Sequence, residues 1–271
     1  MAPESSLQDA QAATWFEIYR RKALARFANL EFMDPWSLPP EPVPPLNGSV
    51  HVWSLELDDA AFDAAVLQNC LSAEEQARAA RFHFDRDRRR FIVAHVALRK
   101  IVAGYLKTGA ANLQFDEGPN GKPKLAPPFD AEGVEFNLSH SHERAVVALN
   151  HGHEIGVDIE FARTDFEFLD VAGHFFTARE VTALRALPAS LQRQAFYKCW
   201  TSKEAFLKAK GTGLSGALDE VEIVLEGKQV QIKASVPGWW LTALNTLDDY
   251  EAALVTKKSP VEVFYYRWRA V

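Results

Sequence analysis

Only two cysteines, Cys70 and Cys199, occur in 271 residues, far apart and outside any CxxC or metal-ligand spacing. Their scarcity excludes a disulfide framework and a thiolate zinc cage, and two reduced, buried thiols of a cytoplasmic protein are expected. No stretch approaches the ~20 apolar residues of a membrane span. The segment Met1 to Gln11 is polar and acidic rather than basic then apolar, so secretion is not expected either. Positive charge is also short: 30 Lys and Arg against 36 Asp and Glu leave a formal net charge of -6, which argues against a general nucleic-acid binder. A Walker-type Gly-rich Lys-Ser/Thr loop and the kinase motif set are both missing. What remains, with 48% hydrophobic and 24% charged residues, is a globular chain long enough for one large domain or two packed smaller ones.

Three parts are expected along the chain. Residues 1–46 read as an appendage: a helix from about Leu7 to Leu30, then the proline run from Pro39 to Pro45, which is extended because proline fixes φ. A first α+β unit, 47–154, opens with a strand from Val50 to Leu57 and a helix capped by Asp58. Ser72-Ala73-Glu74-Glu75 then starts another helix with a capping box, and a long helix runs through Phe91, Leu98 and Tyr105. After the loop Glu117 to Pro123 come strands near Glu135 to Leu138 and Ala145 to Leu149. A second unit, 155–271, starts with a strand Ile155 to Glu160, has helices near Thr177 to Leu187 and Leu191 to Lys210, and ends in five short strands. There is no sequence repeat, but the order of elements is similar, so two comparable lobes are expected to meet near the acidic strand.

Two segments concentrate the chemistry. In Gly156-Val157-Asp158-Ile159-Glu160, aliphatic residues alternate with Gly156, Asp158 and Glu160, so one face is apolar and the other carries two carboxylates. Adjacent negative charges call for a cation. Further on, Tyr197, Thr201, Glu204 and Lys208 share one stripe of an amphipathic helix through Trp200-Thr201-Ser202-Lys203-Glu204. If strand and helix pack together, three oxygen ligands and an ammonium surround one spot, which suits a hard divalent ion holding a phosphate ester. Near by in sequence, Ser139 and His140 sit at a strand–loop junction, and Lys122 with Pro123 on a glycine turn; Arg78, Arg81, Arg86 and Arg88 to Arg90 form a basic cluster. His142, His151 and His153 are close enough in sequence for zinc to be conceivable, though the oxygen-rich site favours magnesium.

Taken in order, these motifs resemble the paired signature of the 4'-phosphopantetheinyl transferases, over roughly residues 50 to 225. Chain length and the presence of Glu160 resemble the two-lobed surfactin-type (Sfp-type) branch. That resemblance implies an α+β fold, a pseudo-twofold monomer of two similar lobes with an N-terminal helical extension. It implies transfer of the 4'-phosphopantetheine arm of coenzyme A to a serine of an apo acyl, peptidyl or polyketide carrier protein, releasing 3',5'-ADP. Asp158, Glu160 and Glu204 match the family's ligands for Mg²⁺, with Mn²⁺ as the alternative. Glu204 is also the candidate base, Lys208 the residue that stabilises and protonates the departing phosphate, and His140 the pyrophosphate contact. Arg78, Arg90, Lys122, Pro123, Ser139, Lys203 and Lys208 fall at coenzyme-binding positions; Lys203, one residue off the stripe, stays open between a phosphate and a neighbouring acid. For Lys208 the ordinary alternative is a surface ion pair with Glu204, and for Lys122 a plain hairpin turn. Phe161 to Phe176 lies where the family presents its carrier-binding surface. Two other readings stay open from the residues alone: a non-catalytic coenzyme A or nucleotide-binding module, and a different Mg²⁺-dependent phosphotransferase.

Overall fold

The computed structural model describes residues 36–118, 120–213, 218, 221–226, 231–234, 236–246 and 249–269. The helix expected over Leu7 to Leu30 lies outside them. In chain order the elements are β1 (Val50–Glu56), α1 (Ala64–Leu67), α2 (Ala73–Ala79), α3 (Asp85–Leu106), β2 (Phe115–Glu117), β3 (Pro123–Leu125), β4 (Val134–Ser141), β5 (Arg144–His151) and β6 (Ile155–Phe161). They continue with α4 (Phe168–Phe175), α5 (Ala178–Ala186), α6 (Ala189–Lys210), β7 (Ile223–Glu226), β8 (Gln231–Ala234), β9 (Trp240–Leu244), β10 (Tyr250–Thr256) and β11 (Val263–Arg267). No described helix is long and apolar enough to cross a membrane.

Two sheets of order β11-β1-β5-β4 and β6-β10-β9 form the body, each covered by a 22-residue helix, α3 on the first and α6 on the second. Strand residues are apolar on both faces because both faces are covered. In β5, Ala145, Val147 and Leu149 face α3, while Val146 and Ala148 meet Val157 and Ile159 of β6 in a core between the sheets. In β10, Ala253 and Val255 face α6, whereas Ala252 and Leu254 join that intersheet core. The result is a helix–sheet–sheet–helix stack in the α+β class, with the acidic face of β6 turned toward a helix. Each fully buried aliphatic contributes roughly 1.5–3 kcal/mol, so the doubled coverage fixes strand register firmly.

Local signals work at several helix starts. Ser72 and Glu75 close the expected capping box on α2, and Thr177 with Glu180 does the same for α5. Asp58, however, caps no helix: Asp63 caps α1 by accepting from Ala65 N–H, and Asp58 instead holds Arg90. A short polar side chain before a helix is ambiguous when three, Asp58, Asp59 and Asp63, occur within six residues. The boundary at residue 46 also differs. Trp36 is buried, and Ser37 bridges Tyr266 of β11, with Arg267 N–H donating to Ser37 O at 2.7 Å. The proline run therefore starts from a docked segment. Nor does the second lobe keep its last strand, since β11 pairs in parallel with β1 in the first sheet.

One contact sets the spacing of β6 against α6. A Cβ on Gly156 would stand 2.0 Å from Ala205 O and 2.4 Å from Ala209 N, far inside any tolerable separation. Gly156→Ala is expected to lower stability by about 3 kcal/mol or more through overpacking against backbone, read as a fall in the urea midpoint at unchanged m-value. A second prediction concerns His51 of β1, fully buried among Tyr105 of α3, Trp53 of β1, and Phe264 and Tyr266 of β11. Its Nδ1 lies 2.6 Å from the Tyr105 hydroxyl, which accepts from Trp53 Nε1–H, and its Nε2 has no partner. Burial pushes this imidazole from 6.5 down to about 4. The unfolded chain then takes up the proton first, so the stability gained is whole above 6.5 and is lost as pH falls from 6.5 through about 4. Its size is on the order of 3 kcal/mol, and His51→Phe should flatten that part of the pH–stability curve.

Candidate active site

The two sheets meet along β4 and β6 through side chains rather than a backbone ladder. Asn137 Oδ1 accepts from Val157 N–H at 2.8 Å, Ser139 Oγ from Ile159 N–H at 3.4 Å, and Ser141 Oγ from Phe161 N–H at 3.2 Å. Alternation along β4 places these three polar residues on the same edge, where each fills the place of a strand carbonyl. The two serine hydroxyls turn outward to the acids: Ser139 Oγ donates to Asp158 Oδ1 at 2.8 Å and Ser141 Oγ to Glu160 Oε2 at 2.8 Å. Asn137 and Ser141 belong to the stretch Phe136 to Ser141 that the resemblance sets among coenzyme-binding motifs, but their bonds to β6 were not foreseen, although their period of two beside the acidic strand was the available signal.

Asp158, Glu160, Glu204 and Lys208 come together at this seam. Asp158 is buried, whereas Glu160, Glu204 and Lys208 are half-buried. Lys208 Nζ sits 2.5 Å from Asp158 Oδ1 and 2.8 Å from Ser139 Oγ, so its ion pair runs to the strand and not to Glu204 one turn earlier. The Glu160 carboxyl is pushed up to about 7, first by burial and then by the Asp158 charge. Burial and Asp158 likewise raise Glu204, with Lys208 opposing. Two buried oxygens, Asp158 Oδ2 and Glu204 Oε1, have no hydrogen-bond partner. Unpaired buried carboxylate oxygens in a crowd of negative charge are the donor set of a hard cation. The residues fit such an ion in the chemistry of their donors, although among the described residues no group of three or more His, Cys, Asp or Glu is placed to hold a metal ion. The zinc grouping of His142, His151 and His153 does not assemble: His142 lies on the Phe161 ring, and the His151 ring lies against Gly133.

Basic groups border the seam on the α2–α3 side. His140, at the exposed end of β4, is held below the ordinary histidine range by partial desolvation and then by the charges of His95, Lys208, Arg78 and Arg90. This exposed side chain therefore lies in a basic patch with His95, Lys208, Arg78 and Arg90. His95, which stacks on Phe91, is the residue here that the sequence did not point to. Arg78 is exposed, its guanidinium over Phe91; Arg90 pairs with Asp58 at 2.5 Å and reaches Glu143 at 3.9 Å.

Two lysines find their partners inside the protein. Lys203 is fully buried, its ammonium 2.9 Å from Glu180 and donating to Leu218 O and Val221 O, so the neighbouring acid and not a phosphate is its partner. Lys122 donates to Ile155 O at 2.8 Å and Ala209 O at 3.2 Å, and Pro123 begins β3 of the β2–β3 hairpin. A hollow between the sheets, lined by Trp36, Arg144, Ile159 and Tyr250, and another lined by His174 to Thr177 and Leu218, hold none of the seam residues.

The arrangement defines a two-lobed α+β protein with an acidic, lysine-bridged seam beside a basic patch. Comparison with known proteins places it in a family. Residues 154–255 match the 4'-phosphopantetheinyl transferase superfamily, and residues 58–152 match the 4'-phosphopantetheinyl transferase N-terminal family. The chain is 38% identical over 217 residues to the 4'-phosphopantetheinyl transferase HetI of a Nostoc species, covering 79% of this chain and 91% of that protein. It is 30% identical over 164 residues to the 4'-phosphopantetheinyl transferase Sfp of Bacillus subtilis, covering 60% and 70%. A third relative, the L-aminoadipate-semialdehyde dehydrogenase-phosphopantetheinyl transferase of Xenopus laevis, is 30% identical over 173 residues, covering 60% and 57%. The chain belongs to the 4'-phosphopantetheinyl transferase superfamily and is an enzyme of the transferase class.

The burial of Lys203 makes a prediction. Lys203→Met leaves the Glu180 carboxylate uncompensated inside the protein and should cost about 3–5 kcal/mol, measured by urea denaturation. Loss of a surface phosphate ligand would instead leave stability within about 0.5 kcal/mol.

Proposed function

We propose that this chain transfers the 4'-phosphopantetheine group of coenzyme A to a serine hydroxyl of an apo carrier protein, releasing 3',5'-ADP. The observation that supports it best is the seam itself: two partnerless carboxylate oxygens, Asp158 Oδ2 and Glu204 Oε1, beside an ammonium that reaches across from α6 to β6. Asp158, Glu160 and Glu204 would hold Mg²⁺, or Mn²⁺, whose chemistry when bound is to neutralise pyrophosphate charge. Every other role falls to side chains. Lys208 stabilises charge on the oxygen that departs with 3',5'-ADP. Glu204, made more basic by burial and by Asp158, accepts the proton of the attacking serine, so that the new P–O bond forms as the pyrophosphate P–O bond breaks. His140 in the basic patch donates to pyrophosphate, and Arg78 and Arg90 meet the 3'-phosphate, where a guanidinium fits bidentately. Arg90 must then exchange Asp58 for phosphate, a surface pair of small net stability. Catalysis of this kind is mostly positioning and electrostatics.

Intact-mass measurement of apo acyl, peptidyl and polyketide carriers, incubated with coenzyme A and Mg²⁺, should show an adduct of roughly 340 Da, the mass of the transferred group. No adduct on any carrier, with 3',5'-ADP also absent, would refute the proposal. Asp158→Ala and Glu204→Ala should each reduce transfer by ~10³-fold or more. Lys208→Ala should lower kcat by ~10²-fold with a smaller change in coenzyme A affinity. Arg78→Ala and Arg90→Ala should weaken coenzyme A but not dephospho-coenzyme A; an unchanged ratio of the two affinities clears both arginines.

A further inference from the structure

The loop between β2 and β3 reaches out of the first lobe and closes the far end of the helix that holds Glu204 and Lys208. Helix α6 ends at Gly211 in the left-handed region, with φ of 68°. Gly211 N–H donates to Lys208 O and Thr212 N–H to Leu207 O, which leaves the Ala209 carbonyl among the orphan acceptors of the last turn. Lys122 Nζ takes it at 3.2 Å, and takes the carbonyl of Ile155, first residue of β6, at 2.8 Å. Asn120 Nδ2 from the same loop donates to Gly211 O at 2.7 Å. A cation on carbonyls at a helix C-terminus also opposes the negative end of the helix dipole. Glu135 on β4 and Glu154 just before β6 are the acids that favour its charge, against the burial that disfavours it.

The place of this clamp matters more than its strength. Ala209 and Ile155 flank the closest approach of the two elements, since Gly156 lies against Ala205 O and Ala209 N. One residue before Ala209 is Lys208, and two residues beyond Gly156 is Asp158. We propose that Lys122 is a positioning residue for the transfer reaction: its ammonium ties the end of α6 to the start of β6 and so fixes the register in which Lys208 and Glu204 face Asp158 and Glu160. Two of its three donor hydrogens are engaged by backbone in this role, which differs from direct phosphate binding. Only the kinetic part of the inference rests on the transferase reading above.

The test uses full-length Lys122→Met, Lys122→Arg and Asn120→Ala. In the protein without coenzyme A or metal, amide exchange over residues 207–212 should rise ~10-fold in Lys122→Met, and by a smaller factor in Asn120→Ala. Lys122→Arg keeps donors for both carbonyls and should restore most of the protection. In turnover, Lys122→Met should lose ~10- to 100-fold in kcat, the scale of a misplaced catalytic group, with the calorimetric Kd for coenzyme A within ~2-fold of wild type. Unchanged exchange together with a ~10-fold weaker Kd would overturn the inference and make Lys122 a ligand. If Lys122→Met fails to fold, Asn120→Ala decides: exchange and kcat both equal to wild type would overturn it. Wild-type protein that transfers nothing would sink the functional reading while the exchange measurement still judged the clamp.

Discussion

The backbone-to-backbone approach of β6 and α6 governs everything that follows in this molecule. Only a residue without a side chain lets a strand lie against the carbonyl of Ala205 and the amide of Ala209. Acids on the strand and the acid and base on the helix then share a few ångströms of space. Had position 156 carried a methyl group, the helix would stand off and Lys208 could not reach Asp158 at 2.5 Å. The buried aliphatic faces on either side of β6 and β10 supply the stability that holds so tight a contact in place.

That contact concentrates negative charge where water is scarce, and the structure answers it incompletely. Lys208 compensates Asp158, and two serine hydroxyls donate to the acids, yet Glu160 is still pushed up to about 7 and two carboxylate oxygens stay unpaired. A purely structural site would be expected to satisfy itself, because unmade hydrogen bonds in the interior are costly. This residual frustration accords with the cation and polyanion site proposed above. The serines do double service: they replace the missing ladder between β4 and β6, and they aim the carboxylates. Sheet continuity and site geometry are for this reason the same set of bonds.

Much of this was legible in the chain. Alternation located β6 and the order of its two faces, helical spacing put Glu204 and Lys208 on one stripe, and the capping box marked α2. Both paired motifs could be read because they are local. Non-local relations were not legible. Nothing in the spacing of Val263 to Arg267 says that it returns to lie parallel to β1, since pairing partners of a short apolar strand are set by the remaining free edge. Asp58 and Asp63 offer equal capping chemistry, and only the chain path favours the second. His95 joins the basic patch from a helix whose own pattern reads as simple packing against Phe91.

The lysines show most clearly where sequence logic stops. Lys122, Lys203 and Lys208 carry the same head group near the same helix, and each was open to the role of a phosphate ligand. Their fates divide by what lies within one hydrogen bond of the ammonium. Lys203, with no exposed surface, must be compensated on the spot, and Glu180 does so while also capping α5 and accepting from Ile223 N–H. Lys122 meets neutral carbonyls, whose dipoles suffice because it is only half-buried. Lys208 alone pairs with a carboxylate while keeping part of its surface in water, so it can trade that partner for an incoming anion without first being unearthed. Burial sets Lys203 apart, whereas Lys122 and Lys208 are similarly exposed and divide by partner, neutral carbonyls against a carboxylate.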